Sequence, residues 1–474
     1  MSGFSDAIVS YEDSRLSKLW EMAVMIILFS NFQRHFRTPL VLLLTAVLFL
    51  LTGFGREASA EEANHVFTLK ESVAIALERS LKLDSAVQSV KGAKWKKSET
   101  QKKFLPQFET SYSWTRLDSA PTFSGFVTGT EDNWQLKLTM NQPLFTGFAL
   151  KSGYELAKLG IDIAEISLGQ TRLDLILEVK QVYFNILRAQ KATEVAIQAV
   201  KQREAHLNVA LNFYEVGMIP KNQVLQAEVL LAEAIQERTK AENAVMITKA
   251  SFNTILRRSL ESPVEIEDIL IYKPFPHDFT YCLERALEKR PEIKALLKQV
   301  KVGEQKVRLA KADYYPSLAL QANHYWKGDT WQINGSSFMD DPTSWDVTAV
   351  LSWNIWSWGQ TLDQVRFNRT ELAKIHNAVI EAKDGISLEV KSSYLNMKEA
   401  EKNIFVARKA VEQGEENYRM SQERYREQVA TATEVTDAET LLTAARRNYY
   451  DTLYNYNLAW AALERAMGLG RDEI

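Results

Sequence analysis

The chain has 474 residues, with 57 basic and 60 acidic side chains, a net charge of −3 and one cysteine, Cys282. Without a basic excess a nucleic-acid partner is excluded, and one cysteine excludes an internal disulfide. Beyond residue 60 no segment approaches the roughly 20 apolar residues of a membrane-spanning helix, so any membrane crossing must be made by strands.

Residues 1–60 read as a leader and a signal peptide. Arg34, His35 and Arg37 are the basic region, residues 40–51 are almost wholly apolar, and Ala58-Ser59-Ala60 is a cleavage site. The mature chain then begins at Glu61. A single membrane anchor is the alternative, but the apolar run is short for one. Met22 and Met25 are alternative starts within the unusual leader. The first 60 residues hold five charges of each sign, so the mature charge is still −3. Cys282 lies far from the cleavage site, which leaves no cysteine for an N-terminal lipid.

Residues 61–258 form a first structural repeat. Thr68-x-x-Glu71 is a capping box opening a short helix, and a longer helix comes next. Pro106 precedes a β-hairpin over residues 107–144, since proline is tolerated at strand starts. Phe108, Tyr112 and Trp114 alternate with Glu109, Ser111 and Ser113; Trp134, Leu136, Leu138 and Met140 alternate with Gln135, Lys137 and Thr139. One apolar face, one polar face and tryptophan near the ends describe a transmembrane β-barrel strand. No proline occurs between Pro143 and Pro220, and residues 149–258 read as a long helical hairpin. Its first helix, residues 149–216, would be on the order of 100 Å long. Such a rod needs neighbours along its whole length.

Residues 259–290, with Pro263, Pro274 and Pro276, connect the two copies. Residues 291–474 repeat the first unit at an offset of 211: Leu177-Glu178-Val179-Lys180 returns as Leu388-Glu389-Val390-Lys391. A repeat of this length is a duplicated structural unit rather than an array of short motifs. Its β-hairpin covers residues 317–356, with Trp345, Val347, Ala349, Leu351, Trp353 and Ile355 on one face. Its helical hairpin covers residues 360–468. Large residues recur every seven positions at Val390, Met397, Ile404, Val411, Tyr418 and Tyr425, with small ones three later, including Ala400, Ala407 and Gly414. The returning helix has Val435, Leu442, Tyr449, Tyr456 and Leu463. This is a coiled-coil seam. The first hairpin carries it through Ile186, Val200, Leu207 and Tyr214, with Arg203 and Arg238 as polar interruptions. Four strands cannot close a barrel, and an open edge is forbidden in lipid, so the chain must oligomerise. Two copies would supply eight strands and three would supply twelve.

The duplication, the Pro106 and Pro316 positions, the strand ends Pro143-Leu144-Phe145-Thr146-Gly147 and Asn354-Ile355-Trp356-Ser357-Trp358-Gly359, and the two hairpin tips together resemble the TolC-like outer-membrane efflux family. The resemblance runs from Thr68 to about Gly468. It implies a mainly α fold with a transmembrane β-barrel: a homotrimer whose twelve strands close a barrel in outer-membrane lipid and whose long hairpins form a periplasmic tunnel. It implies an exit channel for tripartite efflux or type I secretion, docked to a periplasmic adaptor and an inner-membrane pump of the RND or ABC type. Val216, Gly217, Met218 and Ile219 match the family's adaptor-contact tip, with Met218 and Ile219 departing from its Val-Gly-Leu pattern. Gly217 and Pro220 also simply end one helix and start the next. Tyr425, Glu434 and Asp437 fall on the family's periplasmic gate positions. The gate arginine position is Ala430 here, and the acid facing the tyrosine is Gln223. Glu434 is equally the third residue of a capping box, Thr431-x-x-Glu434.

The six histidines are scattered without metal-ligand spacing, and no phosphate loop or nucleophile motif occurs, so neither an enzyme nor a cofactor is expected. The competing class is a periplasmic coiled-coil scaffold without a channel, which the alternating, tryptophan-rich strands disfavour.

Overall fold

The structure is a computed structural model that describes residues 65–339 and 341–470. The expected leader and signal peptide, residues 1–60, lie outside the described residues, and the fold is that of the unit from Phe67 onward.

Helix α1, Leu69–Arg79, starts where Thr68 Oγ1 accepts the Glu71 amide. Ser80 ends it and caps α2, Leu81–Lys102. Strands β1, Gln107–Arg116, and β2, Asp132–Thr146, pair in register from Gln107↔Asn141 to Arg116↔Asp132. The connection between them carries a two-residue ribbon, Thr122–Phe123 against Phe126–Val127. Helix α3, Ala149–Glu215, turns at the first tip into α4, Lys221–Ile255. The connection leads to α5, Phe279–Lys289, capped by Asp278, and α6, Pro291–Ala310. The second hairpin is β3, Ser317–Gly328, with β4, Thr343–Ser352. Helices α7, Gln360–Arg426, and α8, Ala432–Ala466, complete the chain.

The four strands form one antiparallel sheet in the order β1-β2-β3-β4, so the two hairpins join through β2 and β3. Both outer strands leave an edge unpaired among the described residues. The second hairpin is shorter than the alternation reaching Ile355 predicts: β4 ends at Ser352, opposite Ser317. The residue before Ser317 is Pro316, which has no amide hydrogen with which to extend the ladder.

The two copies enter their long helices alike. Gly147 and Phe148 are left-handed before α3, and Trp358 and Gly359 are left-handed before α7, 211 positions later. At Gly147 a Cβ would lie 2.3 Å from the Ala312 carbonyl oxygen, so only glycine fits. The glycine moved one place in the second copy, where Gly359 faces open space.

The main core lies where the long helices pass the connection. Val179, Tyr183, Ile186 and Phe252 pack there with Val390, Met397, Tyr456 and Leu463. Tyr183 donates to the Phe67 carbonyl, and Tyr456 donates to the Lys273 carbonyl. Arg290, 4% exposed, binds Glu389 through both nitrogens of its fork at 3.0 and 2.7 Å and also donates to the Ala466 carbonyl. The seam of the second hairpin is as the spacing predicts: Val390, Met397, Ile404, Val435, Leu442 and Leu463 are buried. Both hairpins also leave apolar side chains uncovered. Val229, Met246 and Ile247 on α4 stand in the open, as do Leu388 and Val406 on α7.

Candidate functional site

The candidate site is the end of the molecule where both hairpins turn. At the first tip the Met218 amide donates to the Phe213 carbonyl and the Gly217 amide to Tyr214, closing a left-handed cap on α3. Gly217 has φ 76°, and a Cβ there would meet nothing within 4 Å. Pro220 then starts α4. This leaves Val216 and Met218 exposed at 68% and 56%, an apolar knob that the described residues leave uncovered.

The second tip has the same turn without a glycine. The Val429 amide donates to Arg424 and the Gln428 amide to Tyr425, with Gln428 at φ 61°. Gln428 Nε2 reaches Met218 Sδ at 3.1 Å, so the two tips touch. Val429 is exposed beside them.

Glu434, Asp437 and Tyr425, the three expected gate residues, have different surroundings. Glu434 completes the capping box with Thr431, accepting the Thr431 amide as its own amide donates to Thr431 Oγ1. Arg424 Nη1 also lies 3.7 Å from Glu434 and Nη2 donates to the Val429 carbonyl. Arg424 lies six residues before Ala430, the position at which the resemblance implies a gate arginine. Asp437 is exposed one turn further on, on the same side of α8. It makes no hydrogen bond or ion pair among the described residues. Tyr425 differs from the other two in being buried. It is 6% exposed, with its ring between His206 and Phe213 at 5.5 and 5.6 Å. Its hydroxyl has no hydrogen-bond partner among the described residues, and burial raises its pKa. The tyrosine sits at the seventh-residue step of the seam, which turns it inward between the hairpins.

Two charged residues of this end were not legible as a site. Arg203 and Glu439 form an ion pair between α3 and α8. The one sign in the sequence is Arg203 itself, a charge in an apolar repeat. No helix among the described residues is long and apolar enough to cross a membrane, and no cluster of metal-ligand side chains occurs among them.

The sequence profile of a family described as "Outer membrane efflux protein" matches residues 73–256 and 282–469. The two blocks coincide with the two copies of the repeat. The chain is 22% identical over 418 residues to the toluene efflux pump outer membrane protein TtgF of Pseudomonas putida, covering 86% of this chain and 84% of that one. The same figures hold for a probable efflux pump outer membrane protein, SepC, of the same species. Among solved structures the fold is similar to VceC of Vibrio cholerae, with TM-score 0.73, 17% identity and coverage of 85% of this chain and 96% of that one. It is also similar to the open state of the Neisseria gonorrhoeae MtrE channel, with TM-score 0.70, 19% identity and coverage of 85% and 89%.

Proposed function

Because this chain belongs to the outer membrane efflux protein family, we propose that three copies assemble into the exit duct of a tripartite efflux system. The observation that carries the assembly is the four-stranded sheet with two free edges, joined to hairpins with uncovered apolar faces. In lipid those edges need partners, and three chains closing edge to edge make a barrel of twelve strands, wide enough to leave a channel. The same threefold contact covers residues such as Val229, Met246, Leu388 and Val406 along the tunnel below. The barrel lies in the outer membrane and the hairpins reach into the periplasm.

The duct is passive. Its free energy comes from an inner-membrane pump, reached through a periplasmic adaptor that seats on the apolar knob at Val216, Gly217, Met218 and Ile219. Small-molecule efflux is favoured over type I secretion by the efflux-pump relatives. Glu434 and Asp437, three to a ring, narrow the tunnel end and favour cations. Light scattering of the detergent-extracted protein tests the assembly: a trimer is expected, and a monomer or dimer overturns it. Loss of resistance to toxic small molecules on deletion, restored by the gene, tests the export role.

A further inference from the structure

Arg203 interrupts the seam of the first hairpin, and its counterpart 211 positions later is Gly414. The two departures belong to one arrangement. A Cβ at Gly414 would stand 3.3 Å from Leu442 Cα, so glycine lets α8 lie close against α7. On α8, Glu439 then meets Arg203 of the other hairpin, Oε1 to Nε at 2.9 Å, with side chains 2% and 11% exposed. The counterpart of Glu439 is Glu228, which is exposed, so this burial is not a property of the repeat. The pair is only half satisfied. Arg203 Nη2 reaches Thr440 Oγ1 at 3.4 Å, while Arg203 Nη1 and Glu439 Oε2 are buried without a hydrogen bond among the described residues. Along α8, Glu439 lies about 10 Å from the start at Ala432.

A buried ion pair holds helices poorly, because removing both charges from water offsets most of their attraction, and apolar residues of similar size hold as well or better. What the charges add is a response to protons. We propose that Arg203 and Glu439 form a clasp that positions α8, and with it Glu434 and Asp437, against the first hairpin, and that loosens as pH rises through neutrality. The proposal rests on the reading of this end as the closing end of the duct.

The groups facing the clasp are Arg203 and His206 on α3 and Tyr418 and Tyr425 on α7, with Arg426 and Arg446 near Tyr418; Arg446 is itself paired with Glu415 at 2.8 Å. Burial pushes the Glu439 carboxyl up to about 7, against the pull of Arg203. Released into water, it returns to its ordinary value of 4.5. The clasped arrangement therefore binds more protons between those values; its advantage is full below 4.5 and is lost as pH rises through about 7. His206 acts in the opposite sense. Burial and then Arg203 lower its pKa below 6.5, so the clasped arrangement disfavours the imidazolium and acidification below that value opposes closure. Burial raises both tyrosines, which stay neutral throughout. From pH 6 to 8, Glu439 alone shifts the clasped-to-released ratio about ten-fold, and His206 offsets up to about four-fold of that.

The test uses the full chain in detergent, with Cys282→Ala and spin labels at Glu204→Cys on α3 and Leu441→Cys on α8, both exposed positions. The interlabel distance distribution is expected to gain a longer component at pH 8 relative to pH 6, by roughly two- to three-fold in population. Glu439→Gln and the double variant Arg203→Met/Glu439→Met are expected to abolish that pH response, and His206→Gln to enlarge it. A pH response equal in Glu439→Gln, or none in the parent, overturns the clasp. Bilayer conductance of the same proteins separates the two readings: distances that respond without any conductance keep the clasp and defeat the channel.

Discussion

Gln428 occupies the position that Gly217 holds one repeat earlier, and both residues are left-handed, at φ 61° and 76°. The turn geometry survived the duplication although the glycine did not. A non-glycine residue in this conformation costs about 1 kcal/mol or more. Gln428 uses its side chain to reach Met218 across the tips, an interaction no glycine can make.

Gln428→Gly is therefore expected to leave stability unchanged or raise it by about 0.5 kcal/mol, and Gln428→Val to lower it by at least about 1 kcal/mol because a β-branched residue fits this region worst. Thermal unfolding of the two variants beside the parent checks the order.

Gly217→Asp places a charge in the apolar knob; the space around Gly217 is open, and the left-handed φ of 76° adds a backbone cost of about 1 kcal/mol that aspartate tolerates better than most residues. Export is expected to fall while the trimer persists. Gly217→Asn tolerates the same backbone without charge and should export nearly as the parent does. Equal export by the aspartate and asparagine variants would remove the tip as a docking site.

Tyr425→Phe deletes a buried hydroxyl that has no partner among the described residues. The expected result is stability equal to or up to about 1 kcal/mol above the parent, with bilayer conductance unchanged. A large rise in conductance would restore the tyrosine as a gate latch.

Asp437→Ala is expected to weaken both cation selectivity and block by periplasmic divalent cations in planar bilayers, through loss of three carboxylates around the axis. Glu434→Ala should loosen the start of α8 by about 1 kcal/mol through loss of the capping box and the Arg424 pair. Unchanged selectivity and block in the double variant would place the constriction elsewhere.

Deleting residues 108–141 removes β1 and most of β2. The remaining strands cannot supply a closed barrel, so stable insertion into the outer membrane is expected to fail in membrane fractionation.

The sequence by itself determined the features that repeat, apart from the reach of β4, which stops at Ser352 although the alternation runs to Ile355. The offset of 211, the seven-residue seam and the two-residue alternation each report a local geometry that recurs many times, so single exceptions do not hide them. Proline marked where strands begin, because a missing amide hydrogen acts at one known position. What only the tertiary structure decided are the unique contacts. Arg424 reaches Glu434, and Gln428 reaches Met218 across the tips. Arg203 finds Glu439 across 236 positions. None of these pairs has a period. Each depends on which faces of two helices are brought together, and that is decided by the packing of the whole chain rather than by the spacing within any one segment.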